Sequence, residues 1–482
     1  MAKPPTILSS GDTEVMDWLK TVRAGLLEWT SGWKSIVVAL GVLTLVLAVC
    51  LVWRPASRDI HKRGAKILEG RRARLKAMRL RRASGESSLT LGGVRIAPLD
   101  ETKHFKLIGT TGTGKSTAIR ELLRCALERG DRAVITDPDS GYLLSFYDRY
   151  RGDVILNPFE KHAVKWNPFT EIREIYDIDQ LAGGLIPSTD DASGREWRGY
   201  ARTFLAAVIR RCHQCGPHDV AELWRLLAIA PSSELRPIVA GTPAQPFLEP
   251  DNARMFGSIR SVAGSAAAAL AYIKDQRALS FSVRNWVQSG RGVLFIPYQA
   301  GQIAALRSII ATWMRLAIVE TMSHPEEDQR LWFVVDELDA LGAIDGLKDA
   351  LARLRKFGGR CVLGFQSIAQ VSSTYGAGEA QTIVENCGNT LILRCSGSEN
   401  GGTSQFASRL IGEREVIRRQ MSRGRDRDGS FMSRGSRRST STSEQHVTEA
   451  AVMASELEKL PDLTGYLKTA SSSEWLRVAF SR

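Results

Sequence analysis

"HFKLIGTTGTGKSTAIRELLRCALERG", residues 104–130, decides the fold. It reads as an apolar strand, a glycine-rich turn and then a helix. Within it Gly109, Gly114, Lys115 and Ser116 have the spacing of a phosphate cradle, and the strand before and helix after are the context such a loop requires. Backbone N–H groups of Gly109, Thr110, Thr111, Gly112, Thr113, Gly114, Lys115, Ser116 and Thr117, at the positive end of the helix, suit the phosphates of a nucleotide. The Lys115 ammonium is expected to reach the β- and γ-phosphates, and the Ser116 hydroxyl to ligate Mg²⁺. ATP and Mg²⁺ are therefore the expected cofactors.

Hydrolysis needs acidic groups on a second strand, and "LWFVVDELDALG", residues 331–342, supplies them. Leu331 to Val335 form a continuous apolar run typical of a buried parallel strand. Asp336 at its end suits Mg²⁺ held through the metal's water shell, and Glu337 suits orienting and polarising the attacking water. An apolar strand followed by Asp-Glu also occurs in proteins with no such role; the pairing with the phosphate loop carries the assignment. Further apolar runs at 133–137, 292–297, 361–366 and 390–395, mostly separated by helical patterns, indicate a parallel α/β sheet with ligand groups at the carboxyl ends of its strands. Gln366 sits at such an end. It suits a γ-phosphate sensor or a polar strand cap.

Residues 171–288 break the rhythm, with helical patterns at 195–212, 219–228 and 251–288, and read as an inserted all-α domain between two parts of the nucleotide-binding domain, 89–170 and 289–482. Residues 36–53, "IVVALGVLTLVLAVCLVW", carry no charge and lie between Trp33 and Trp53, as a short transmembrane helix does. Residues 1–35 precede it with four basic and four acidic side chains. From Arg54 to Arg82 twelve Lys or Arg stand against Asp59 and Glu69, so residues 54–88 read as a basic juxtamembrane stalk, with the chain beyond Arg54 in the cytoplasm.

The formal net charge of +13 points to an anionic partner, nucleic acid or lipid headgroups. With 43% apolar and 24% charged residues the chain is not a disordered one. Seven scattered cysteines, an odd number, fit reduced thiols better than a disulfide framework. "CHQCGPH", residues 212–218, lacks the second spaced pair of a zinc site, so no metal ligands are assigned there. Residues 418–443, rich in Arg, Ser and Gly, read as a flexible insertion whose arginines also suit a phosphate backbone.

Taken with the phosphate loop, five stretches resemble the TraD and TrwB group of type IV secretion coupling proteins: residues 135–169, "ITDPDSGYLLSFYDRYRGDVILNPFEKHAVKWNPF"; 334–342, "VVDELDALG"; 354–376, "LRKFGGRCVLGFQSIAQVSSTYG"; 407–416, "ASRLIGEREV"; and 457–468, "LEKLPDLTGYLK". The resemblance implies a RecA-like P-loop NTPase domain with the all-α insertion, anchored in the bacterial inner membrane. It implies a homo-hexameric, DNA-pumping ATPase that passes a relaxase–DNA complex to the channel of a type IV secretion system. It also implies an arginine acting across a subunit boundary, for which Arg353, Arg355 and Arg394 are the candidates. Members of the group commonly have two membrane helices, against one span here. Two other functions compete with this one: a DNA translocase of the FtsK or HerA kind without a secretion partner, and a non-motor nucleotide-binding membrane adaptor, against which the intact Lys115, Asp336 and Glu337 weigh.

Overall fold

The computed structural model describes residues 59–83, 89–187, 192–216, 218–325, 329–398, 402–426 and 437–481, with positions 20, 21, 40, 41 and 44. Apart from those three positions in the forties, the span expected at 36–53 lies outside the described residues. Among the described residues no single helix is long and apolar enough to cross a membrane.

The apolar runs converge into one ten-stranded sheet. Its strands are β1 (Lys66–Leu68), β2 (Phe105–Ile108), β3 (Arg132–Pro138), β4 (Val154–Ile155), β5 (Val293–Tyr298), β6 (Leu331–Val335), β7 (Gly359–Phe365), β8 (Asn389–Ile392), β9 (Thr464–Lys468) and β10 (Glu474–Ala479). The spatial order is β1-β10-β9-β8-β2-β7-β6-β3-β5-β4. From β8 to β4 all pairings are parallel. The sheet is not parallel throughout, as the sequence pattern suggested: β9 runs antiparallel to β8 and β10 antiparallel to β9, so the C-terminal segment extends the sheet beyond β8, and β1, parallel to β10, forms the edge.

The parallel strands are apolar on both faces because both faces are covered. Leu331, Phe333 and Val335 of β6 point into one core and Trp332 and Val334 into the other, the period-2 alternation of a strand. One core is closed by the helix Lys115–Glu128, which buries Ile119, Leu122, Leu123 and Leu127 against the sheet. At roughly 1.5–3 kcal/mol each, these four side chains contribute on the order of 6–12 kcal/mol gross, enough to fix the helix that begins at the phosphate loop. The other core takes in the helices Ile175–Leu185, Ala192–Cys215, Val220–Ala228, Ala253–Ala266 and Ile303–Thr321. Two short strands, Lys165–Trp166 and Ser280–Phe281, pair in parallel where this helical region leaves and rejoins the sheet, a pairing the sequence did not suggest.

The chain forms two compact units, Lys62–Glu415 with Thr448–Arg482, and Met1–His61 with Val416–Val447. The first contains the whole sheet. In the second, Arg418 pairs with Asp59 at 2.9 Å and Arg419 with Glu444 at 2.9 Å. The stretch 418–443, read from composition as flexible, contributes instead to two strands, Glu413–Asp426 and Arg437–Ala450, while 427–436 lie outside the described residues.

Candidate nucleotide site

Register sets the site before any side chain is considered. Phe365 of β7 pairs with Ile108 of β2, and Val335 of β6 with Leu363 of β7. The three strands therefore end at nearly the same level and release Gly109, Gln366 and Asp336 side by side. Because β7 lies between β2 and β6, Gln366 stands between the phosphate loop and the acidic pair.

The loop is held open by contacts that only glycine permits. Gly114 caps the helix Lys115–Glu128 at φ 113°, where an added Cβ meets Leu463 Cδ2 at 2.8 Å. Gly112 also lies in the left-handed region, at φ 77°. The loop is tied down at both ends: Thr110 N donates to Arg394 O at 2.9 Å, and Leu463 N to Thr113 O at 2.9 Å. Thr113 Oγ1 donates to Thr110 O at 2.7 Å, across the turn. Lys115, 6% exposed, donates from Nζ to Gly109 O at 2.6 Å, and burial pushes its ammonium below the ordinary value even beside Asp336 and Glu337.

Ser116 Oγ donates to Asp336 Oδ2 at 2.6 Å. Asp336 is 4% exposed, and its Oδ1 has no partner among the described residues. Gln366 Nε2 donates to Glu337 Oε1, and Thr111 Oγ1 donates to Gln366 Oε1 at 2.9 Å. A continuous chain of hydrogen bonds thus runs from the loop through Gln366 to Glu337. Burial raises the Glu337 carboxyl above its ordinary range, and the Gln366 amide opposes the shift by favouring the charged form. These groups line a cleft of about 690 Å³ that extends to Asp462, Leu463 and Ser481.

The three candidate arginines separate. Arg394, just beyond β8, reaches the rim of the cleft, where its guanidinium pairs with Asp462 at 2.7 Å. Arg353 and Arg355 lie near the opposite end of the sheet, in the turn of helix that leads into the amino end of β7. Arg355 is close enough to His104, which precedes β2, to help lower its pKa.

Several residues at the site carried no role in the sequence reading. Tyr142, 1% exposed, donates from its hydroxyl to Asp336 Oδ2 at 2.8 Å. Asp137 at the end of β3 accepts from Tyr142 N at 2.9 Å and Leu143 N at 2.6 Å, and burial raises its pKa to about 6. Arg120 and Arg124, on the outward turns of the helix after the loop, line the cleft with Glu121. A signal for the first two was present in "TDPDSGY", an acid at the end of an apolar strand followed by a turn.

A family model described as the type IV secretion-system coupling protein DNA-binding domain matches residues 88–481. The coupling protein TraD of Escherichia coli (strain K12) is 30% identical over 405 residues, which is 81% of this chain and 54% of that protein. The chain spans about half the length of the curated relatives it matches. Among solved structures, the plasmid coupling protein TrwB in complex with ADP and Mg²⁺ superposes with a TM-score of 0.74 at 31% identity, covering 88% of this chain and 94% of that one. TrwB in complex with a non-hydrolysable ATP analogue gives the same TM-score over 87% of this chain. The α/β fold is therefore of the P-loop type seen in TrwB, and the chain belongs to the type IV secretion coupling protein family.

Proposed function

We propose that this chain is a membrane-anchored, ATP-driven DNA pump that couples a relaxase–DNA complex to a type IV secretion channel, working as a homo-hexamer of RecA-like domains. The observation that carries the reading is the meeting of the phosphate loop, Asp336, Glu337 and Gln366 at three adjacent strand ends, in a chain of a family named for DNA binding. The residues fit ATP and Mg²⁺. A loop with left-handed glycines turns its N–H groups toward a phosphate, Lys115 Nζ rests on loop carbonyls beside it, and Asp336 keeps a buried oxygen with no partner among the described residues. Magnesium bound there supplies charge neutralisation on the β- and γ-phosphates.

In this account Ser116 and Asp336 hold the metal, Lys115 binds the phosphates, and Glu337 takes a proton from the attacking water. Gln366, hydrogen-bonded to both Thr111 and Glu337, orients that water and ties its position to the loop. Arg394, at the cleft rim, is taken as the arginine that acts at a subunit boundary, with Arg355 and Arg353, near the other end of the sheet, as the remaining candidates. The apolar span 36–53 anchors the chain in the inner membrane, the basic residues between it and β1 lie on its cytoplasmic side, and the helices between Ile175 and Lys274 form the α-helical domain.

DNA binding of the full chain in detergent tests the partner. Lys and Arg contacts to phosphate each release about 0.7–0.9 counterions, so affinity is expected to fall steeply with salt and to vary little with sequence. Affinity independent of salt contradicts it.

A further inference from the structure

Nothing in phosphate-loop chemistry requires a tyrosine after β3, yet Tyr142 is held there with care. Its hydroxyl and that of Ser116 both donate to the same oxygen of Asp336, Oδ2, at 2.8 Å and 2.6 Å. Oδ1 receives no donor among the described residues although it is buried. Two donors on one oxygen position fix the plane of the carboxylate, because turning the group out of that plane breaks both bonds at once. A serine alone leaves that rotation opposed by one bond, from a side chain that is itself needed by the metal.

The tyrosine is in turn fixed from three sides. The Asp137 carboxylate accepts from Tyr142 N and Leu143 N and so sets the start of the short helix Gly141–Phe146. The turn before it places Asp139 and Ser140 at φ 57° and 59°, a left-handed pair that costs energy and persists only where the surroundings impose it. The Arg120 guanidinium lies 5.4 Å from the centre of the ring, over its face. Tyr142 thus reaches Asp336 from a different strand than the phosphate loop does.

We propose that Tyr142 is a positioning residue for the divalent cation: it holds Asp336 by Oδ2 so that Oδ1 stays available to the metal's water shell. The proposal rests on the nucleotide and magnesium reading of this site. Groups that orient a metal ligand from behind typically change metal affinity by roughly 10- to 100-fold when removed.

The test is Tyr142→Phe in the full chain, with a fluorescent ADP derivative as probe and Mg²⁺ titrated at fixed nucleotide. The expected result is that the Mg²⁺ concentration for half-maximal metal-dependent binding rises about 10-fold, the lower end of that range, because Asp336 acts through the water shell. Affinity for the metal-free nucleotide and the circular dichroism spectrum stay as in the wild type, which separates loss of the hydroxyl from loss of the fold. A Mg²⁺ midpoint equal to that of the wild type overturns the role of Tyr142. Asp336→Asn tells the two levels apart. If wild type and Asp336→Asn respond alike to Mg²⁺, the metal assignment falls and this proposal with it. If Asp336→Asn loses the response while Tyr142→Phe keeps an unshifted one, only the role of Tyr142 fails.

Discussion

Replacing Glu337 by Gln separates catalysis from folding, because the structure sets opposite magnitudes for the two. The side chain is half-buried at the end of β6, accepts from the Gln366 amide, and has a carboxyl pKa raised chiefly by burial. Glutamine has the same shape and still offers an oxygen to Gln366. A hydrogen bond to a charged acceptor, worth about 1.5–3 kcal/mol, becomes a neutral one worth about 0.5–1.5, a loss of roughly 1 kcal/mol. Burying an amide in place of a carboxylate that already disfavours its charge offsets part of that loss. Stability is therefore expected to change by at most about 1 kcal/mol. Turnover is another matter: the amide cannot take a proton from water, and a positioned general base contributes about 10²–10⁴-fold, or about 2.7–5.4 kcal/mol of barrier. Phosphate release, binding of a fluorescent ATP analogue and calorimetric unfolding, measured on one preparation, check all three quantities. The reasoning is refuted if nucleotide binding is lost with turnover, which makes Glu337 structural, or if turnover stays within about fivefold of the wild type.

Asp137→Asn tests the support beneath Tyr142 through pH. The pKa of Asp137 is raised to about 6 from an ordinary value of 3.8, so protonation is tighter in the folded state, and the stability this contributes is present below about pH 4 and lost as pH rises through about 6. Unfolding measured from pH 4 to 7 is expected to show the wild type losing up to about 3 kcal/mol relative to Asp137→Asn across that window, since the amide does not titrate; parallel curves contradict it. Arg394→Ala is expected to spare nucleotide binding and lower turnover by about 10³-fold or more, and to be rescued when mixed with subunits that are dead at the phosphate loop but keep Arg394. No loss, or no rescue where mixed rings form, removes Arg394 from the shared site.

The parts of the site that were legible in sequence are those whose chemistry is local. The phosphate loop is nine consecutive residues between a strand and a helix, and Asp336-Glu337 closes an apolar run, so each announces itself without knowledge of the sheet. Tyr142 does not, because its contact with Asp336 depends on β3 lying beside β6, a fact of strand order and not of spacing. Leu463 is similar: it packs against Gly114 and donates to Thr113 O, a contact between distant parts of the chain that only the antiparallel C-terminal strands bring about. The Arg/Ser-rich stretch misleads for a different reason. Polar composition reads as coil when a strand lacks an apolar face, yet a strand such as Arg437–Ala450 satisfies its backbone by pairing with a neighbour. Among the arginines, sequence could offer three but not divide them by the end of the sheet they occupy.

The central claim, that this cleft hydrolyses ATP in the service of DNA movement, is tested most directly by phosphate release from the full chain in detergent with and without single- and double-stranded DNA, beside Lys115→Ala. That substitution removes three methylenes worth about 0.8 kcal/mol each and a bond to Gly109 O, but also a desolvated ammonium, so the fold is expected to survive it. The account predicts hydrolysis that rises when DNA is added and disappears in Lys115→Ala. Hydrolysis that persists in that variant, or a wild-type rate that neither form of DNA changes, contradicts it.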